Sequence, residues 1–193
     1  MGASSYEYHA EIAAYLKQHP QVKLAFQPGT YQMKFGIEKL REIYAATEVF
    51  IANVEEVQRI LGHEEKGSSA TSDAWNGEIK SLLSAIHALG PRIVLITDGP
   101  KGAYMYDGDR TYFMPIYPDP KTPYERTGCG DAFASTFVSA LILGHTPLEA
   151  LTWAPVNPMS VVQFIGAQEG LLSREQIEDL LKYAPALYKP REL

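Results

Sequence analysis

The sequence lacks the features that mark secreted, membrane-spanning and nucleic-acid-binding proteins. Its 193 residues include a single cysteine, Cys129, so no disulfide can form within the chain and a reducing, cytoplasmic setting is expected. No apolar run is long enough to cross a bilayer, and the first residues lack the basic and apolar segments of a secretory signal. The net charge of -6 predicts no nucleic-acid partner, because such proteins usually carry a basic face.

Metal-ligand spacing and the common dinucleotide fingerprint are absent as well. The five histidines are scattered, and one cysteine cannot complete a zinc site. No Gly-x-Gly-x-x-Gly follows the first predicted strand, which disfavours a Rossmann-type dinucleotide-binding protein. A nucleotide ligand stays compatible with the acidic composition, since backbone amides bind phosphate without net positive charge.

The chain instead alternates apolar strand segments with amphipathic helices. Strands are predicted at 22–26, 49–52, 92–97, 103–106 and 111–116, the last two as an antiparallel hairpin. Helices are predicted at 6–19, 35–46, 54–61, 75–89 and 131–143, with further helices opened by capping patterns at 146–149 and 173–176, and a polar loop at 62–72. This order predicts one α/β domain over residues 1–193, with a mainly parallel sheet whose ligands bind beyond the carboxyl ends of its strands.

The glycine-rich turn at 127–131 is the most informative stretch. Gly128 and Gly130 flank one small residue immediately before a long helix, so several backbone N–H groups can point into one space. The helix dipole adds positive potential there, which suits a phosphate oxyanion. Asp131 follows at once and is placed to take a proton from a hydroxyl that attacks this phosphate. The alternative is a tight turn in which Asp131 only stabilises the start of the helix.

The wider stretch, 125–131, resembles the signature of the PfkB (ribokinase-like) carbohydrate kinases, Asp-Thr-x-Gly-Ala-Gly-Asp. Its Gly-x-Gly-Asp core is intact, whereas Glu125, Arg126 and Cys129 replace the usual Asp, Thr and Ala. In the family the replaced aspartate helps to hold nearby loops and the region of a monovalent cation. Cys129 is expected either to gain thiolate character at the helix start or to stand in as a small buried residue.

The resemblance assigns a role to each residue of the turn. Gly128, Cys129 and Gly130 would form the anion hole, and Asp131 would be the catalytic base. Asn157, near the end of an apolar helix that borders the adenine in the family, would contact the nucleotide, or would only break that helix before Pro158.

Two further motifs follow predicted strands. Asn53 and Glu56 form a capping-box pattern, and they also resemble the family's Asn-x-x-Glu, which places the water network around magnesium and the phosphates. This implies a nucleotide-side role for Asn53 and a water-mediated magnesium contact for Glu56. The segment from Thr97 through Gly99 to Gly102 resembles the family's Thr-x-Gly-x-x-Gly, which lines the nucleotide phosphates.

The resemblance implies a ribokinase-like three-layer αβα sandwich that transfers phosphate from ATP to a sugar or nucleoside hydroxyl, with Mg²⁺ and, in some members, a monovalent cation such as K⁺. It begins in the middle of the family pattern, so we expect the N-terminal strands and lid to be missing and activity alone to be low or absent. An exposed sheet edge would then favour a homo-oligomer, or completion by a missing N-terminal half. The alternative function is a non-catalytic nucleotide-binding module or subunit completed by another chain.

Overall fold

The structure, a computed structural model, describes residues 6–63 and 72–193. Most of the predicted polar loop at 62–72 therefore lies outside the described residues. The chain divides into two compact units, one comprising residues 1–97, 104–111 and 193, the other residues 98–103 and 112–192. None of the helices in the described ranges is long and apolar enough to cross a membrane. The single domain over 1–193 stays a prediction.

The first unit contains five helices and most of four strands in its described part. In chain order these are α1 (Tyr6–Gln18), β1 (Leu24–Phe26), α2 (Thr30–Phe35), α3 (Ile37–Ala46), β2 (Thr47–Asn53), α4 (Val54–Ile60), α5 (Ser72–His87), β3 (Ile93–Thr97) and β4 (Ala103–Tyr106). Two helices precede β2 and two precede β3, which is the connection that parallel neighbours require.

The core strands are β2 and β3, and their continuous apolar runs are buried. β1 pairs with β2 and β2 with β3, both in parallel. In the sheet the strands are hydrogen-bonded in sequence order from β1 to β4, followed by β5 (Thr111–Met114) and β6 (Arg191–Glu192). β5 and β6 pair antiparallel, so the described sheet is mixed but mainly parallel at its centre.

The predicted helix at 35–46 is α3, which begins two residues later than predicted, and the short helix α2 before it was not predicted. Gly36 lies between α2 and α3 with φ of 81°, a backbone conformation that ends one helix before the next begins. Leu40, Ile43 and Tyr44 of α3 are buried, as the apolar spacing predicts.

The second unit is mostly helical. It contains a 3₁₀ turn (Gly99–Lys101), most of β5, and then α6 (Cys129–Ile142), α7 (Pro147–Trp153), α8 (Val156–Val161), α9 (Arg174–Lys182) and β6. The capping boxes predicted before α7 and α9 are both present. α6 begins two residues earlier than predicted, because Gly128 takes a left-handed conformation and serves as the N-cap.

Candidate functional site

The predicted site residues lie in both units, with Asn53, Glu56 and Thr97 in the first and the others in the second. In the first unit, Asn53 and Thr97 are partners in the register of β2 and β3. The carboxyl ends of two neighbouring parallel strands therefore bring these side chains together with Glu56, in the first turn of α4. All three residues are partly exposed. This edge is where ligands bind in open α/β sheets.

Asn53 and Glu56 form the predicted capping box. Asn53 Oδ1 accepts a hydrogen bond from the Glu56 N–H at 2.8 Å, and Glu56 Oε2 accepts one from the Asn53 N–H at 2.9 Å. The capping interpretation is thus confirmed. The interpretation as nucleotide and magnesium contacts stays a prediction, and the cap would hold both side chains in fixed orientations for such a role.

Gly99 and Gly102 lie in the turn after β3, and the space around them differs. Gly102 is buried, and a Cβ on it would overlap the Met114 carbonyl oxygen, so packing against β5 requires it. The Asp98 N–H closes the turn by donating to the Gly102 carbonyl at 2.8 Å. Gly99 is exposed, and a Cβ added to it would meet nothing within 4 Å, which leaves its backbone open to a ligand.

The glycine-rich turn opens α6 in the second unit. Gly130 and Asp131 are exposed and lie in the first helical turn, where N–H groups have no acceptor within the helix. The Cys129 N–H donates to the Arg126 carbonyl at 3.2 Å, so this predicted anion-hole amide already has a partner. The Gly130 amide, the dipole of α6 and the Asp131 carboxylate thus meet at one exposed helix end.

Glu125 ties the segment before this turn to the loop at 162–167. Its Oε1 accepts from Thr127 Oγ1 at 2.5 Å, and its Oε2 accepts from the Gly166 N–H at 3.0 Å. The Tyr124 and Glu125 N–H groups both donate to the Val162 carbonyl, at 2.7 and 3.2 Å. Glu125 therefore holds this loop, in keeping with the loop-holding role that the resemblance gives to the aspartate it replaces.

The same loop packs directly on the glycine-rich turn. Gly128 has a φ of 78°, and a Cβ built on it would overlap the Ala167 carbonyl oxygen and lie 2.6 Å from the Ala167 Cα. Gly128 is required both for the left-handed turn and for this close approach. The contact of this loop with the glycine-rich turn is what sequence patterns missed, because it joins segments far apart in the chain.

Cys129 is half-buried, which is closer to the interpretation as a small buried residue than to that as a thiolate. Burial raises the pKa of its thiol, the Arg126 guanidinium opposes this change, and the Asp119 carboxylate adds to it. The expected thiolate character at the helix start is therefore not favoured. Burial also raises the pKa of Asp119, again against an opposing effect of Arg126.

Asn157 is buried, and both ends of its amide are bound within the protein. Its Nδ2 donates to Thr136 Oγ1 at 2.8 Å, and its Oδ1 accepts from the Leu172 N–H at 2.8 Å. These bonds link α8 to α6 and to the segment before α9. They favour a structural role over the predicted nucleotide contact.

Replacing Asn157 by Ala is expected to destabilise the fold without weakening nucleotide binding. The change leaves the Leu172 N–H unpaired near a buried site, which costs about 1–3 kcal/mol. Urea unfolding measures the loss, and ATP titration of the folded variant measures affinity. Thr136→Val is the control, since it keeps the bond to Leu172 and should cost less. Unchanged stability with weaker ATP binding would contradict the structural role.

Glu125→Gln is expected to lower stability at neutral pH, and the difference from the unchanged protein should vanish in acid. The hydrogen bonds from Thr127 and then Gly166 hold the pKa of Glu125 below its ordinary value. A carboxyl with a lowered pKa stabilises the fold above its unfolded-state pKa, and this contribution is lost as the pH falls through its folded-state pKa.

Urea unfolding of both proteins between pH 7 and the acid range below 4.5, the ordinary value for this carboxyl, tests the Glu125 prediction. Glu178→Gln, on α9, provides the comparison for a partly exposed carboxylate paired with Arg174. A stability difference for Glu125→Gln that is constant across the pH range would show that its charge is not what holds the loop.

Fold and site together define an α/β protein with a glycine-rich turn at the start of a helix that bears a carboxylate. The sequence matches the pfkB family carbohydrate kinases over residues 4–184, and the chain belongs to this family. It is 31% identical over 131 residues to the cytidine kinase of Thermococcus kodakarensis, covering 67% of this chain and 42% of that protein. It is 35% identical over 100 residues to the ribokinase of Bacillus subtilis, covering 51% and 33%.

Solved structures confirm the predicted ribokinase-like αβα fold. The ribokinase of Arabidopsis thaliana, complexed with ribose and ATP, matches with a TM-score of 0.77 at 23% identity, covering 93% of this chain and 53% of that one. The ribokinase of Cryptococcus neoformans var. grubii, in complex with ADP, matches with a TM-score of 0.73 at 22% identity, covering 88% and 57%. The chain thus spans about half the length of these structures.

The donor set suits a magnesium ion held mainly by phosphate and water. Among residues 6–63 and 72–193, no three His, Cys, Asp or Glu side chains are grouped to hold a metal ion. Magnesium in nucleotide sites usually keeps several waters and uses only one or two carboxylates besides the phosphates. The partly exposed Glu56 carboxylate is compatible with a water-mediated contact of this kind.

Proposed function

We propose that this chain carries the ATP-binding and phosphoryl-transfer part of a PfkB-type kinase whose acceptor is a hydroxyl of a sugar or nucleoside. The observation that carries the proposal is the exposed Asp131 in the first turn of α6, beside the amides of the glycine-rich turn. The family match and the activities of the relatives, cytidine kinase and ribokinase, support the choice of acceptor class.

In the proposed reaction the acceptor oxygen forms a bond to the γ-phosphorus of ATP, and the bond from that phosphorus to its bridging oxygen breaks. Asp131 orients the acceptor hydroxyl and takes its proton, while ADP leaves with the bridging oxygen. The Gly130 amide and the α6 dipole stabilise the negative charge on the transferring group. Bound Mg²⁺ supplies charge neutralisation at the phosphates.

We also propose the nucleotide and magnesium-water contacts that the sequence predicts. Asn53, Glu56, Thr97 and Gly99 lie on partly or fully exposed strand-end segments that suit nucleotide and magnesium-water contacts. Glu125 positions the loop against the turn, and a monovalent cation such as K⁺ stays a prediction from the resemblance. A cytoplasmic location likewise stays a prediction.

The second candidate function is a nucleotide-binding module or subunit that does not itself catalyse transfer. It is favoured by one observation: the Cys129 N–H, a predicted anion-hole donor, is already bonded to the Arg126 carbonyl. In this second candidate function, another polypeptide would complete the acceptor site.

Titration calorimetry of the purified chain with Mg-ATP, followed by assays of phosphate transfer to ribose and cytidine, tests the proposed function. Binding with transfer to either acceptor is the expected result for the kinase. Binding without transfer to either acceptor supports the non-catalytic module. The absence of ATP binding by the folded chain would overturn both.

A further inference from the structure

Arg126 is a cation at the start of α6 that the proposed function leaves unused. It is exposed, and it lies two residues before the N-cap, Gly128. Its carbonyl accepts the Cys129 N–H at 3.2 Å, which fixes its backbone relative to the first turn of the helix. The backbone is therefore anchored beside the candidate phosphate site, while the long side chain extends at the surface.

The electrostatic surroundings of Arg126 locate its charge. The guanidinium lowers the pKa of the Cys129 thiol at the first helical residue and that of the Asp119 carboxyl, in both cases against the effect of burial. Its charge thus acts at the N-terminus of α6, where the exposed Asp119 is an acidic neighbour. The adjacent Glu125 carboxylate is bonded to Thr127 and Gly166.

We propose that Arg126 binds the terminal phosphates of the nucleoside triphosphate. This inference rests on the proposed function. A guanidinium presents several N–H donors in a planar fork that matches phosphate oxygens.

Arg126, which replaces the usual Thr of the family signature, would then have a chemical role. The usual Thr at position 126 offers one hydroxyl, whereas Arg126 adds a full positive charge beside amides that already favour an anion. In an acidic chain of net charge -6, a local cation of this kind also concentrates ATP near the turn.

Arg126→Ala is expected to weaken Mg-ATP binding about 10-fold or more, which is the range for a lost charge-assisted contact. The loss should be larger for ATP than for ADP, and the dependence of ATP affinity on salt should become shallower. Arg126→Lys should fall between the two proteins, because it keeps the charge and loses the fork.

Calorimetric ATP titrations of the unchanged chain and these variants separate the possible failures. Lys182→Ala removes the same charge from an exposed ion pair on α9 and controls for net charge. If the unchanged chain binds ATP and Arg126→Ala binds it equally well, the role of Arg126 is wrong while the proposed function stands. If the unchanged chain does not bind ATP, the proposed function itself fails.

Discussion

Asp131→Asn is expected to slow phosphoryl transfer about 10²- to 10⁴-fold, the usual contribution of a positioned general base. The amide cannot take the proton of the acceptor hydroxyl, although it keeps nearly the same shape. ATP affinity should be unchanged or slightly higher, because the variant removes a negative charge close to the phosphates. A loss of turnover without a loss of binding identifies an interaction made only in the transition state.

Steady-state transfer to the acceptor that the unchanged chain uses, together with calorimetry for Mg-ATP, measures both effects of Asp131→Asn. Asp179→Asn on α9 is the matched control, since Asp179 is an exposed carboxylate paired with Lys182. It should leave transfer and affinity as they are. Full activity of the Asp131 variant would exclude this carboxylate as the base.

Gly128→Ala is expected to damage both the fold and ATP binding. A side chain in the left-handed region costs roughly 1–2 kcal/mol. The added methyl would also overlap the backbone of Ala167, at its carbonyl oxygen and Cα, and backbone cannot move aside as cheaply as a flexible side chain. The turn must shift to relieve the overlap, which moves the Gly130 amide from the phosphate and should weaken ATP binding at least ~10-fold, the loss expected for a charge-assisted contact.

Gly144→Ala separates the two causes of the Gly128 effect. Gly144 has a φ of 91°, and nothing lies within 4 Å of an added Cβ, so only the backbone cost applies. Urea unfolding should show a clearly larger loss for Gly128→Ala than for Gly144→Ala, and only the former should lose ATP affinity. Equal effects of the two substitutions would mean that the contact with Ala167 is unimportant.

Local patterns in the sequence were sufficient to predict several helices and strands, including those that carry the site. The buried strand β3, the capping boxes of α4, α7 and α9, and the helix after the glycine-rich turn depend on residues within a few positions of each other. Their signals, apolar runs and side-chain oxygens that accept nearby N–H groups, can be recognised without the fold. The position of Asp131 in the first turn of α6 follows from the same local logic.

Features that depend on distant segments could not be predicted in this way. Nothing near Gly102 indicates that the Met114 carbonyl blocks a side chain there, and nothing near Glu125 indicates the Gly166 N–H. The burial of Asn157 between Thr136 and Leu172 likewise depends on how three segments pack. Sequence patterns found the chemical groups, and tertiary packing decided which of them are already bound by the protein.

The attachment of the loop at 162–167 to the glycine-rich turn has an evolutionary consequence. Glu125 is bonded to Gly166, and Gly128 lies against Ala167, so neither segment can change its backbone path alone. Related genes should therefore accept insertions in either segment rarely, and should vary the two segments in concert. Chimeras that exchange only one of them between relatives would inherit a mismatched pair.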